Sequence, residues 1–356
     1  LIMPQTALSS GFVDRLAYRD EIIDELKTRT GRKGSKESFK QIALADYAAD
    51  LGDDRPGNEP EAKPGSKDGR VAVIYAEGAI VDGDGELGEV GGTKFAKEIR
   101  KLRQDKDVKA IVLRVNSPGG SATASEHIQR ELRLAKQVKP VVVSMGTYAA
   151  SGGYWISAYS DRIYAEPTTI TGSIGVFGLQ FDIQKLAGNM GVTFDRVKTG
   201  RFADAVTISR PKTPEELAII QRMVDWIYEE FVGKVTEARS LPRERVHEIA
   251  QGRVWFGAEA LKLGLVDELG GLDAAIAFAA KKADLAPGYS VTEFPRKKDV
   301  GELIAEMLNL ENPGDTRGSG ALDQVVSQFR KELRTLNQFN DPRGLYARLP
   351  LEMLVK

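Results

Sequence analysis

Cysteine is absent from the 356-residue chain. This absence excludes thiol nucleophiles, disulfide bonds and thiolate metal sites. Apolar runs are short, and none reaches the length of about eighteen residues that predicts a membrane-spanning helix. Charge of one sign is not in excess either, because the formal net charge is −1, which gives no electrostatic basis for a nucleic-acid partner. We expect no cofactor and no metal.

Histidine is scarce, with His127 and His247 the two in the chain. A Ser-His-Asp arrangement would need one of them as its base. The pattern places His127 within a helix and His247 within a charged amphipathic helix at 243–249. Both are interpreted as ordinary helix residues, with a role as base kept as the alternative.

What the sequence does contain is a glycine-rich turn around Ser151. The apolar run at 141–145 predicts a buried parallel strand, and the small residues at 146–150 let a tight turn carry the Ser151 hydroxyl to the start of a helix. Gly152 and Gly153 would leave backbone amides facing a substrate, as a developing oxyanion requires. The pattern therefore indicates a nucleophilic serine, and the alternative is a serine that only caps the helix.

A second strand–turn–helix unit precedes this one. The run at 110–115 predicts another buried strand, followed by the turn at 116–121 and a helix at 122–135. The carboxyl ends of parallel strands meet at one edge of a sheet, so Gly119, Gly120 and Ser151 are expected to face one crevice. The predicted fold class is α/β, built on βαβ units.

Three motifs together resemble the signal peptide peptidase A family, membrane-bound bacterial and plastid proteases of the ClpP/crotonase fold group. They are the Asn-Ser-Pro-Gly-Gly turn at 116–120, the Tyr-Ala-Ala-Ser-Gly-Gly-Tyr-Trp turn at 148–155 and Thr-Gly-Ser-Ile-Gly-Val at 171–176. The resemblance covers about residues 69–283. It implies a ClpP/crotonase-like βαβ superhelical core with flanking helices.

The resemblance also implies roles for particular residues. Ser151 would be the nucleophile, and Ser173 would hydrogen-bond a general-base lysine. The amides of Gly119, Gly120 and Gly152 would form the oxyanion hole. Signal peptides and other apolar peptides would be the substrates. The protein would be a homo-oligomer, with a tetramer expected, attached to a bacterial or plastid membrane through a segment outside this chain.

The general base is missing from its expected place. The family pattern puts the catalytic lysine at the position of Ala203, and an alanine cannot accept a proton. Lys198, at the end of a predicted strand, and Arg201 flank that position, but arginine stays protonated. In the long, tandem-duplicated form of the family the lysine comes from the amino-terminal copy, so the resemblance implies half of a catalytic site here.

Internal similarity supports a duplication. Residues 7–16 match residues 260–269, with Gly11 and Gly264 at one fixed offset. We therefore divide the chain into the tail of a preceding repeat at 1–30, a linker at 31–69, a protease domain at 70–290 and a carboxyl-terminal helical extension at 291–356.

Further elements follow from local patterns. Strands are predicted at 71–75, 162–165 and 288–294, and helices at 214–239, capped by Thr213, and at 272–283. Residues 82–92 are interpreted as a flexible substrate-side loop and 254–260 as a packed turn between helices. Amphipathic helices containing 303–308 and 322–336 are expected at subunit interfaces.

Two other functions stay open at this point. A crotonase-type acyl-CoA enzyme would use the same paired amides on a thioester without a serine nucleophile. The Ser-Gly-Gly turn argues against it. A non-catalytic scaffold copy is the other alternative, since Ala203 stands where a lysine is expected.

Overall fold

The computed structural model describes residues 3–35, 37–41, 69–86, 88–294, 339–342 and 344–349. The chain forms two units, residues 1–65 and 66–356. Most of the predicted linker and both predicted carboxyl-terminal amphipathic helices lie outside the described residues. In the part that is described, no helix is both long and apolar enough to cross a membrane.

The first unit contains two helices, α1 at Pro4–Ser9 and α2 at Arg19–Arg29. Helix α1 ends in a turn around Gly11, whose φ is +71°. Helix α2 carries Asp20 and Glu21 in its first turn and basic residues in its last, which complements the helix dipole.

The second unit is organised on a large, mostly parallel sheet. Its central strands are long apolar runs buried on both faces, as parallel strands between helical layers must be. The strands of this sheet are β1 (Arg70–Glu77), β4 (Val108–Ser117), β6 (Val141–Ala150), β7 (Arg162–Ala165), β8 (Ile170–Gly172), β10 (Val254–Phe256), β11 (Glu268–Leu269) and β12 (Ser290–Phe294). Their order is β10-β8-β6-β4-β1-β12, with β7 beside β6 and β11 beside β7, and β10 is antiparallel to β8.

A smaller sheet lies at the end of the second unit that carries the glycine turns. Its strands, in spatial order, are β3 (Glu89–Gly91), β2 (Ala79–Val81), β5 (Gly119–Ser121), β13 (Leu345–Arg348) and β9 (Phe177–Gly178). Strand β5 directly follows β4, so the two sheets meet at the Gly119 turn.

Helices cover both faces of the large sheet. The helices described in this unit are α3 (Gly92–Gln104), α4 (Ala122–Lys136), α5 (Gly152–Ser157), α6 (Gln184–Asn189), α7 (Pro214–Arg239), α8 (Arg243–Ile249), α9 (Gly257–Lys262) and α10 (Leu272–Lys282). One core cluster includes Leu113, Tyr154 and Phe231, and the other, on the α10 side, includes Val112 and Ala279. In the first cluster the rings of Trp155 and Phe231 lie 4.4 Å apart between α5 and α7.

Several element predictions are confirmed. The strands at 162–165 and 288–294 and the helices at 122–135, 214–239 and 272–283 are present with ends shifted by a few residues at most. Thr213 caps α7 as expected, because its hydroxyl accepts a hydrogen bond from the Glu216 amide at 3.2 Å.

Other predictions need correction. Residues 254–260 are a strand, β10, followed by α9 and not a turn between helices, because β10 pairs with β8. The glycine-rich loop at 82–92 includes β3, which pairs with β2. The strand predicted to end at Lys198 is not formed in the described residues.

Candidate active site

Ser151 occupies the sharp turn between β6 and α5. Its φ is +53° and its ψ is −112°, a conformation that non-glycine residues rarely adopt. Its amide donates to the Gly172 carbonyl at 2.8 Å, and its carbonyl accepts from the Trp155 amide at 2.8 Å. The strained turn is therefore held by backbone hydrogen bonds on both sides.

The helix-cap interpretation of Ser151 is wrong. The side chain makes no capping hydrogen bond to α5, although Ser151 stands at the N-cap position. Instead, Ser151 Oγ lies 3.3 Å from the Gly175 carbonyl oxygen, to which it donates. The hydroxyl is directed away from its own helix, and Ser151 is 1% exposed.

Gly119 and Gly152 meet beside this turn. A Cβ added at Gly119 would lie 2.5 Å from the Gly152 amide nitrogen, and φ at Gly119 is +90°. The Gly119 amide donates a hydrogen bond to Ser117 Oγ at 3.2 Å, and the Ser117 hydroxyl donates in turn to the Gly78 carbonyl at 2.6 Å. The structure thus brings two of the predicted oxyanion residues, Gly119 and Gly152, together beside the Ser151 turn.

Gly120 has a packing role that the sequence did not reveal. A Cβ there would lie 1.9 Å from the Ile80 carbonyl oxygen, because β2 and β5 pair at these two residues. The position therefore needs a glycine for close backbone approach, whatever its amide does in catalysis.

Ser173 lies next to the same turn. It follows Gly172, the residue whose carbonyl holds the Ser151 amide, and it is 2% exposed with φ at +49°. Its own amide donates to the Arg253 carbonyl at 2.7 Å, from the turn before β10. Two buried serines in left-handed conformations therefore border one small region.

The residues around Ala203 form an ion-pair cluster. Lys198 Nζ donates to Asp204 Oδ1 at 2.8 Å, and Arg210 Nη2 lies 3.0 Å from the same oxygen. The hydrogen bonds from Arg210 and then Lys198 lower the pKa of Asp204 far below its usual range. Lys198 is thus engaged with Asp204 and is not hydrogen-bonded to Ser151.

Neither histidine is paired with Ser151 in the residues that the structure describes. His127 is exposed on α4. His247 Nδ1 lies 3.3 Å from the Tyr228 hydroxyl, and its Nε2 lies 3.7 Å from Glu229. Their predicted helical positions are confirmed.

Arg210 also binds Glu216, in the first turn of α7, and this pair makes stability depend on pH. Two guanidinium hydrogen bonds, at 2.7 and 2.6 Å, lower the pKa of the buried Glu216 carboxyl from 4.5 to about 2. The carboxylate is deprotonated more readily in the folded than in the unfolded chain, so its contribution is complete above the unfolded pKa. That contribution is lost as the pH falls towards 2.

Glu216→Gln is therefore expected to lower the free energy of unfolding at pH 7 by about 1.5–3 kcal/mol, since a charge-assisted hydrogen bond is lost. The difference from the parent should stay constant above about pH 5 and shrink between pH 4.5 and 2. Urea unfolding of the parent and of Glu216→Gln between pH 2 and pH 7 measures this difference in the free energy of unfolding. A difference that does not change with pH would contradict the assignment.

Sequence reasoning missed the strand β13. It pairs antiparallel with β5 on one side and with β9 on the other, directly beside the glycine turn. The turn residues Asn340-Asp341-Pro342 before it were the available signal. Four residues are too few for a periodic pattern, so the local sequence could not reveal the pairing.

Comparison with known proteins places this geometry in a family. The sequence model of peptidase family S49 matches residues 133–286. Protease 4 of Salmonella typhi is 37% identical over 96% of this chain and 54% of its own length. The chloroplastic serine protease SPPA of Arabidopsis thaliana is 36% identical over 80% of this chain and 41% of its own length.

A shorter relative is matched over most of its length. The putative signal peptide peptidase SppA of Enterococcus faecium is 31% identical over 81% of this chain and 83% of its own length. The chain spans about half the length of the longer relatives. The predicted α/β class with a ClpP/crotonase-like core is confirmed by the parallel sheet and by the family match. With its strained serine turn, its paired glycines and these relatives, the chain belongs to peptidase family S49.

Proposed function

We propose that this chain carries the nucleophile of a serine endopeptidase that cleaves apolar peptides, signal peptides among them. The observation that carries the proposal is Ser151, buried and strained at the end of a central strand, with Gly119 and Gly152 in contact beside it. Relatives named as serine protease and as signal peptide peptidase support it.

The chemistry would proceed by acyl transfer. Ser151 Oγ attacks the peptide carbonyl carbon while a neutral lysine amine takes the hydroxyl proton. The oxyanion is stabilised by amides at Gly119 and Gly152, and the amine product leaves with the proton. Water then attacks the ester while the lysine takes one of its protons, and the lysine passes that proton to Ser151 Oγ as the acid product leaves. Ser173 would hold the lysine in place.

The lysine would come from a preceding copy of the domain. Ala203 occupies its position here, and the neighbouring Lys198 is paired with Asp204. The same proposal assigns residues 1–30 to the end of that preceding copy.

Backbone geometry in the first unit supports a repeat. Helices α1 and α2 correspond in length and position to α9 and α10 at a shift of 253 residues, the distance from Gly11 to Gly264. The Phe12 amide donates to the Ala7 carbonyl at 2.9 Å, and the Leu265 amide donates to the Ala260 carbonyl at 2.9 Å. Gly11 and Gly264 both have left-handed φ, at +71° and +77°.

The residues after the Gly11 turn are much more exposed than the matching residues after the Gly264 turn. Leu265 and Val266 are 0% and 2% exposed in the second unit, whereas their counterparts Phe12 and Val13 are 70% and 40% exposed. The face that packs on a domain body in one segment is uncovered in the other. A preceding copy of the body is the partner that this face fits.

Oligomerisation and membrane attachment belong to the same proposal. We infer a homo-oligomer, with a tetramer expected by analogy with the family. Attachment to a membrane would use a segment outside this chain.

Labelling with a fluorophosphonate probe tests the proposed function. The chain alone is compared with the chain extended through its preceding copy, each with its Ser151→Ala variant. The extended form should react at Ser151 at least about 10²-fold faster, the contribution of a general base. Strong labelling of Ser151 in the chain alone would place the base within it and direct attention to Lys198 and His127. No labelling of the extended form would favour a scaffold copy.

A further inference from the structure

Strand β13 lies between β5 and β9 in the small sheet. Tyr346 pairs with Ser121 on one side and with Phe177 on the other, both in antiparallel register. Both edges of β13 are thus paired, and the gap between β5 and β9 is filled by a strand from residues 345–348. An extended peptide added to an exposed sheet edge makes this kind of pairing.

The filled gap lies against the nucleophile turn. A Cβ at Gly119 would lie 2.2 Å from the Ala347 carbonyl oxygen, and one at Gly152 would lie 2.9 Å from the same atom. The Leu349 amide donates to the Pro118 carbonyl at 2.7 Å. The Ala347 carbonyl therefore lies beside both glycines, the residues to which the proposed reaction assigns the oxyanion.

We propose that Leu345–Arg348 is an internal occupant of the substrate groove, and that a peptide substrate binds in its place and register after the strand leaves. The inference rests on the proposed function for the identity of the groove. Ser151 is 1% exposed with the strand in place, and the proposal attributes part of that burial to the strand. A covalent probe reacts whenever the strand opens, and its labelling is slowed, not prevented.

The register of the strand specifies which peptides fit. Leu345 and Ala347 alternate with Tyr346 and share one face, and both are 0% exposed. Leu345 Cδ2 would lie 3.3 Å from a Cβ at Gly178, so this site is shaped around an aliphatic side chain. The groove is expected to prefer a small residue at the position of Ala347 and an aliphatic residue two positions earlier.

A separate anchor holds the segment near the groove. Asp341 Oδ2 accepts hydrogen bonds from Ser121 Oγ at 2.5 Å and from the Thr123 amide at 3.0 Å, in the first turn of α4. Asn340 exchanges two hydrogen bonds with the backbone of Asp82, at 2.7 and 3.0 Å. Asp341 also contacts the strand, since its Oδ1 accepts from the Leu345 amide at 3.3 Å and its amide donates to the Tyr346 hydroxyl at 3.2 Å. The bonds to Ser121, Thr123 and Asp82 do not depend on these two contacts, so they can hold the tether while the strand leaves.

Peptide binding to two truncated chains tests the proposal. In a Ser151→Ala background, one chain ends at Gly344, which removes β13 but keeps Asn340 and Asp341. The control ends at Leu349 and keeps the strand. The probe is a fluorescein-labelled peptide of residues 344–349, and its affinity is measured by fluorescence anisotropy. The chain ending at Gly344 should bind at least about tenfold more tightly, as expected if the groove is free less than a tenth of the time.

A peptide with Ala347→Trp should lose most of this binding, because the small site cannot hold an indole. Equal affinity of both chains for the parent peptide would overturn internal occupancy while leaving peptide binding, and thus the proposed function, intact. Binding by neither chain, with both folded, would overturn both.

A cysteine pair in the untruncated chain decides the question if the shortened chain does not fold. The parent chain has no cysteine, so Phe177→Cys with Tyr346→Cys creates a single possible disulfide between directly opposed residues. Oxidation should weaken peptide binding at least about tenfold, and reduction should restore it. Equal binding in the two redox states would overturn the proposal.

Discussion

Replacing Ser151 with alanine is expected to lower kcat/KM for an apolar peptide by at least about 10³-fold in the protein that contains this chain and the proposed preceding copy. The hydroxyl is the only group at this turn that can form the acyl intermediate in the proposed mechanism. Because Ser151 Oγ makes one long hydrogen bond, at 3.3 Å, its removal should leave the melting temperature nearly unchanged. The measurement is hydrolysis of a fluorogenic peptide.

Ser160→Ala is the matched control. Ser160 is a half-buried serine after α5, whose hydroxyl lies 3.4 Å from the Arg162 carbonyl oxygen, away from the glycine turns. The Ser160→Ala variant should hydrolyse the peptide with the same kcat/KM as the parent. If Ser151→Ala kept a tenth or more of the activity, the nucleophile would have to be another residue.

Gly119→Ala is expected to lower kcat/KM by about 10²–10³-fold, the cost of disturbing one oxyanion donor. The added Cβ would lie 2.2 Å from the Ala347 carbonyl oxygen and 2.5 Å from the Gly152 amide nitrogen. With φ at +90°, alanine would also introduce strain of about 1–3 kcal/mol. Both effects move the two amides that the mechanism needs in place.

Gly188→Ala provides the comparison, because a Cβ there meets no atom within 4 Å and φ is not left-handed. It should leave the rate unchanged and should not lower the melting temperature, since alanine is favoured over glycine inside helix α6. Kinetic measurements on the two variants report the loss of oxyanion binding, and thermal unfolding reports the backbone strain. A Gly119→Ala enzyme with parental kcat/KM would show that this turn does not bind the oxyanion.

Much of the site could be predicted because its signals are local. The apolar runs of β4 and β6 are continuous, and each leads through glycines into a helix, so the placement of Gly119 and Ser151 at one sheet edge followed from the parallel topology. The Thr213 cap of α7 was equally local, since the hydroxyl and its partner amide lie three residues apart. These features depend on the order of residues along short stretches.

Other features were decided by contacts between distant segments. Strand β10 exists because it pairs with β8, and β13 exists because β5 and β9 offer it two edges. A strand of three or four residues gains little from its own sequence and forms through its partners.

The sequence by itself determined the α/β core, the glycine-flanked turn at Ser151 and the alanine at position 203, because apolar runs, glycines and side-chain identities are local features of the chain. Only the tertiary structure decided that Lys198 is bound to Asp204, that Gly120 is needed for backbone packing, and that the chain's own Leu345–Arg348 lies against the Gly119 turn. The physical reason is that hydrogen bonds between strands join residues more than two hundred positions apart. Their energy appears only when the fold brings those residues together.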